Sequence, residues 1–172
     1  WRASRVFTDR DTAVHQVTEW PLARDRNFRE SPLLTQKTIT GKLPPVGERL
    51  PENPLVMVPP HQIGPYGGTW QRFGTGPQDI GIVRARLAYD GLVRWDAMGN
   101  KIIPNLASHW TIEEGGRSYV FWLRKGVKWS DGHPFTADDI LFWYKHILKN
   151  TDLTPVIPRD FMRGGKTVHV EK

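Results

Sequence analysis

The chain has 172 residues, 38% of them hydrophobic and 24% charged, a balance that suits a soluble globular protein of ordinary domain size. Its net charge of +6 is scattered, with nine Lys/Arg against six Asp/Glu over residues 1–50 and fifteen against twelve over 51–172, which fits a solvated surface better than a nucleic-acid track. The absence of cysteine excludes disulfides and thiolate metal sites, and no stretch approaches the roughly 20 apolar residues of a membrane span.

The chain opens at Trp1 without a basic-then-apolar leader and closes on Thr167-Val168-His169-Val170-Glu171-Lys172, an alternating strand pattern with no partner in sequence. Both features lead us to expect a fragment cut at each end. Residues 1–30 are polar and rich in Arg and Asp, without periodicity; Trp1, Phe7, Trp20 and Phe28 are their candidate anchors. Ser31-Pro32 offers an N-cap and first helical residue for a short helix that Gly41 would end. Seven prolines between positions 44 and 65 predict extended, poorly helical chain, a linker or surface wrap.

After Tyr66-Gly67-Gly68, the run Thr69-Trp70-Gln71-Arg72-Phe73 reads as a strand ended by Gly74-Thr75-Gly76-Pro77. Ile80 to Leu87 suits a helix, Leu87 to Trp95 extended chain, and Met98-Gly99-Asn100 a turn before Ile102-Ile103-Pro104. Asn105 to Tyr144 is the richest stretch. An extended piece meets the turn Glu113-Glu114-Gly115-Gly116, then the strand Ser118–Leu123, which is apolar on both faces and so predicts cover on both. Val127-Lys128-Trp129 and the turn Ser130-Asp131-Gly132 follow. Thr136 as N-cap, Asp139 at the capping-box position, and Lys145, His146 and Lys149 near the other end predict a helix over 137–149, with Asn150 as a left-handed cap. Its largely apolar circumference predicts burial, with Trp129, Trp143 and Tyr144 as core.

No catalytic constellation emerges. The six histidines lack metal-ligand spacing, Glu113-Glu114 flanks a turn, and Asp138 and Asp139 serve the helix start. Gly74-Thr75-Gly76 lacks the remaining glycines of a dinucleotide loop, and no Gly-Lys-Ser/Thr or Gly-x-Ser-x-Gly occurs. The expectation is a non-enzyme with no catalytic residue, metal or cofactor.

Leu87-Ala88-Tyr89-Asp90-Gly91-Leu92-Val93, then NKIIPNLASHW (100–110), then LRKGVKWSDGHPFTADD (123–139), resemble in order the motifs of the family 5 extracellular solute-binding proteins. The resemblance covers roughly Tyr66 to Asn150, and Gly164 to Val168 is similar to the start of the family's next strand. It implies a mixed α/β fold of the periplasmic-binding-protein type II kind. Residues 1–65 would be an extended N-terminal segment. Residues 66–172 would be a partial solute-binding domain, the start of lobe one with most of its extra subdomain. It also implies the solute-binding component of an ABC importer, most simply for oligopeptides, outside the cytoplasm. The partners would be a membrane permease and its ATPase, and the full-length protein would be a monomer. In the family the loop after the first strand approaches the ligand, which points to Phe73, Gly74, Thr75 and Gly76 here. Without a second lobe, the fragment alone would behave poorly and bind no peptide. The competing readings are a stand-alone carbohydrate-binding or adhesion module, for which eight tryptophans would supply platforms, and a nucleic-acid binder, which the scattered charge disfavours.

Overall fold

The computed structural model describes residues 16–19, 27–71 and 73–172, which fall in two compact units, Trp1–Lys125 and Gly126–Lys172. The proposed anchors Trp1, Phe7 and Trp20 lie outside the described residues, and Phe28 is half-buried.

In the first unit, β1 (Gln16–Glu19) pairs antiparallel with β2 (Leu55–Val58), Glu19 opposite Leu55. Neither strand was expected: four residues without clear alternation leave little pattern to read. The proline-rich stretch is correspondingly not a free linker. Pro54 and Pro59 bracket a Leu-Val-Met-Val strand, and a single helical turn, α2 (Val46–Arg49), starts directly after Pro45, where a missing N–H costs nothing. Pro54 is buried, and the Glu52 amide donates to Lys125 O at 3.0 Å. The short helix α1 (Thr35–Ile39) starts three residues later than Ser31-Pro32 suggested; Ser31 O instead accepts from the amides of Leu34 and Thr35. An ion pair from Arg49 to Glu30 joins the two helical pieces, and the Thr38 hydroxyl also donates to Glu30. The guanidinium is the main reason the Glu30 carboxyl is held below its usual range.

The strand expected over 69–73 does not form: the described residues there are irregular, and Trp70 and Phe73 are exposed. Every sheet among the described residues has only two strands, and none of them takes in this segment. The helix expected over 80–87 is present as α3 (Asp79–Leu87). Beyond it the extended conformation is confined to β3 (Val93–Trp95), which pairs with β4 (Ile102–Pro104). Their connection is closed by the Asp96 carboxylate, which accepts from the Asn100 amide at 2.7 Å. The Tyr89-Asp90-Gly91-Leu92 motif is clasped from the far side of this hairpin. Asn105 Nδ2 donates to Gly91 O at 2.9 Å and Asp90 Oδ1 at 3.2 Å, while the Ala107 amide donates to Leu92 O at 2.8 Å.

The hairpin of β5 (Ala107–Glu113) and β6 (Ser118–Leu123) matches the sequence reading. Its turn runs through three successive positive φ angles, at Glu114 (49°), Gly115 (66°) and Gly116 (88°), which the glycines adopt without a Cβ penalty. The expected cover on both faces is absent: Tyr119 and Trp122 are 53% and 42% exposed. The hairpin has no third strand among the described residues, so part of its apolar surface stays open. Trp122 is partly shielded by His109, stacked at 4.4 Å between ring centroids.

In the second unit, Val127–Trp129 is held by a single bridge, Lys128 to Pro134, closed by the turn at Gly132 (φ +95°). Trp129 packs edge-on against Phe135 at 5.2 Å but remains half-exposed, contrary to its expected core role. Thr136 caps α4 (Ala137–Phe142) with both arms of a capping box. The Asp138 amide donates to Thr136 Oγ1 at 3.2 Å, and the Thr136 amide donates to Asp139 Oδ2 at 2.7 Å. The helix then changes pitch and continues as a π-helical segment, Trp143–Leu148. Only Tyr144 and Leu148 are buried on it, so the expectation of a largely buried helix is corrected: Phe142 is 60% exposed. Asn150 is not a left-handed cap either. Its amide donates to Ile147 O, and its side-chain oxygen accepts from the amides of Asp152 and Leu153, a local turn that satisfies the chain without positive φ. At the end of the chain, β7 (Met162–Arg163) and β8 (Lys166–Thr167) form a tight hairpin across Gly164-Gly165. The terminal strand pattern thus has a partner at its start, and residues 168–172 form no strand.

The Asp139 carboxylate is held below the usual aspartate range, first by the Thr136 amide and also by the Trp129 side chain. A depressed folded pKa stabilises above the unfolded value, and that contribution is lost as pH falls through the folded one, here below about pH 4. In Asp139→Asn this acid-sensitive contribution disappears. Melting curves from pH 3 to 7 should show a start of α4 weaker by a few degrees at neutral pH, with a flatter profile than the parent below pH 4.

Candidate functional site

The loop proposed for ligand contact, Phe73 to Gly76, lies immediately before α3 and is organised by that helix. The Asp79 carboxylate accepts from the Thr75 amide and, at 3.1 Å, from the Thr75 hydroxyl. These two bonds, the amide first, hold the Asp79 carboxyl below its usual range. The Thr75 hydroxyl is therefore committed to building the loop. Gly74 sits so close to Asp79 that an added Cβ would lie 3.3 Å from Oδ2, and one at Gly76 would meet the Gln78 side chain at 2.4 Å. The Phe73 side chain is fully exposed.

What this loop offers is one open aromatic face and backbone, suited to apolar or stacking contact with a ligand. It contains no carboxylate or imidazole of its own, and its one hydroxyl, Thr75, is bound to Asp79. No group of three or more His, Cys, Asp or Glu able to hold a metal occurs among the described residues. Asp79 is the residue that sequence reasoning missed. The available signal was an acidic residue in the first turn of a helix, four positions after a threonine. No helix among the described residues is long and apolar enough to cross a membrane.

Motifs that looked like family signatures turn out to be structural. Asp131 accepts from the His133 amide at 3.0 Å within the Trp129–Gly132 turn, and that amide is the first cause of its lowered pKa. Tyr89–Leu92 is bound to Asn105 and Ala107, as described above.

The mixed helix-and-hairpin architecture is that of the periplasmic binding proteins. Residues 101–167 match the family model of bacterial extracellular solute-binding proteins, family 5 middle. A solved structure of the oligopeptide-binding protein OppA is 48% identical, with a TM-score of 0.69, over 78% of this chain and 21% of that one. The periplasmic binding protein MelB from Agrobacterium fabrum C58, solved with stachyose, is 28% identical with a TM-score of 0.54, over 83% of this chain and 24% of that one. Among curated proteins, the periplasmic alpha-galactoside-binding protein of Rhizobium meliloti (strain 1021) is 34% identical over 81% of this chain and 23% of its own length. The dipeptide-binding protein of Escherichia coli (strain K12) is 42% identical over 31% of this chain and 11% of its own length. The chain thus spans less than a quarter of these curated relatives, all of which are solute-binding proteins by name and none an enzyme.

Proposed function

We propose that the protein is the solute-capturing component of an ABC importer, binding oligopeptides outside the cytoplasm and delivering them to a membrane permease driven by its ATPase. The observation that carries this reading is the likeness to the oligopeptide-binding protein OppA, at 48% identity over 78% of the chain. Within it, residues 66–172 would supply part of the solute-binding domain, and 1–65 its N-terminal approach. Phe73, Gly74, Thr75 and Gly76 would be ligand contacts, Phe73 by its ring and the others by backbone. A second reading, an oligosaccharide as solute, is favoured by the likeness to the alpha-galactoside-binding protein over 81% of the chain and to the stachyose complex.

The test is thermal melting of the protein expressed from its full reading frame, with mixed tri- to pentapeptides and separately with stachyose. A ligand present at about a hundred times its Kd adds roughly 2.7 kcal/mol, a shift of several degrees. Peptide is expected to raise the melting temperature and stachyose to leave it unchanged. The reverse result would replace the oligopeptide reading with the oligosaccharide one, and a shift with neither would remove both.

A further inference from the structure

We propose that a concavity between the end of β2 and the β3–β4 hairpin binds an amphipathic carboxylate, with Arg94 taking the charged end. The hollow has a volume of about 400 Å³, within the size range of small-molecule sites. Its apolar wall is built by Met57 and Pro59 at the end of β2, Ile63 on the following loop, and Ile103 on β4. Ile103 is the register partner of Arg94, so the two share a face of the hairpin.

Among the described residues, Arg94 is the sole cation lining the hollow. It is exposed, and its guanidinium makes no hydrogen bond or ion pair with any described residue. The neighbouring carboxylate, Asp96, has an oxygen engaged by the Asn100 amide at 2.7 Å across the hairpin connection, so it closes the turn. An unpaired guanidinium beside apolar surface is complementary to a carboxylate carried on an apolar chain, because the planar fork can bind both oxygens at once. Asp96 alongside disfavours a second negative charge, which selects a monoanion over a phosphate dianion. None of residues 73–76 lines this hollow, so the inference stands apart from the solute reading.

The test is isothermal titration of the protein, expressed from its full reading frame, with octanoate and with octanamide, its uncharged match in size. Octanoate is expected to bind on the order of ten-fold more tightly than octanamide and to weaken as salt is raised. In Arg94→Gln that advantage should vanish with the melting temperature nearly unchanged, since the substitution keeps the backbone pairing with Ile103 and removes only an exposed guanidinium. Hydrogen exchange should slow on octanoate binding in peptides covering 57–64 and 93–103. Equal affinity for the two probes, no heat with either, or an Arg94→Gln protein that keeps the advantage would each overturn the proposal.

Discussion

Replacing Arg124 with alanine should open the region around the β5–β6 hairpin more than any substitution on its exposed faces. Arg124 is 5% exposed, and its guanidinium donates to two backbone carbonyls from distant parts of the chain: Asn53 O at 2.6 Å and Asn105 O at 3.1 Å. Its own amide donates to Leu106 O at 2.8 Å. One side chain thus joins the approach to β2, the start of β5 and the end of β6. A hydrogen bond from a charged donor contributes about 1.5–3 kcal/mol, and truncation also leaves buried carbonyls to be resolvated. The expected loss for Arg124→Ala is therefore roughly 3–5 kcal/mol of local stability. Arg124→Lys should recover little of it, because a single ammonium on a flexible stem does not reproduce the fork that reaches both carbonyls. Hydrogen exchange followed by mass spectrometry is the measurement: peptides covering 50–58 and 105–125 should lose protection together. Loss confined to 105–125 would show that Arg124 does not hold the proline-rich segment.

That long-range role marks the limit of what could be read from the sequence. Hairpins carry their own signal, and both the 113–116 turn and the capping box at Thr136 and Asp139 were legible because every residue involved lies within a few positions of its partner. The partnership of Arg124 with Asn53 spans 71 residues and leaves no periodic trace. The strand β2 was hidden for a related reason. Prolines signal extended chain equally well for a free linker and for an edge strand, and only the pairing with Gln16–Glu19 tells them apart. The opposite error occurred at 69–73, where strand propensity was read as a strand although no edge receives it. For the candidate site, glycine content marked a turn at Gly74-Thr75-Gly76-Pro77, and only the family resemblance pointed to 73–76 as ligand contacts. The loop's dependence on Asp79 became visible only in the geometry.

Burial was the least legible property, and it bears on the second large effect. Seven apolar residues lie between Ile140 and Leu148, which would suggest many equivalent core positions. The structure concentrates the burial on two, Tyr144 at 5% and Leu148 at 2% exposure. They are four residues apart on the π-helical segment. Leu148→Ala should therefore cost about 2–5 kcal/mol, the range for a leucine lost from a packed interior that only partly collapses. Ile147→Ala, one position away at 36% exposure, should cost well under half as much. Tyr144 is fixed differently: its hydroxyl donates to Val168 O at 2.9 Å, linking this segment to the chain just after β8. Tyr144→Phe keeps the ring and removes that one bond, so about 1 kcal/mol is expected. Hydrogen exchange can rank the three. Leu148→Ala should deprotect 137–150 and 160–170 together, Tyr144→Phe chiefly 160–170, and Ile147→Ala neither strongly. Equal effects of Leu148→Ala and Ile147→Ala would mean that both faces of the segment are covered in the protein, and that the assignment of its core to Tyr144 and Leu148 is wrong.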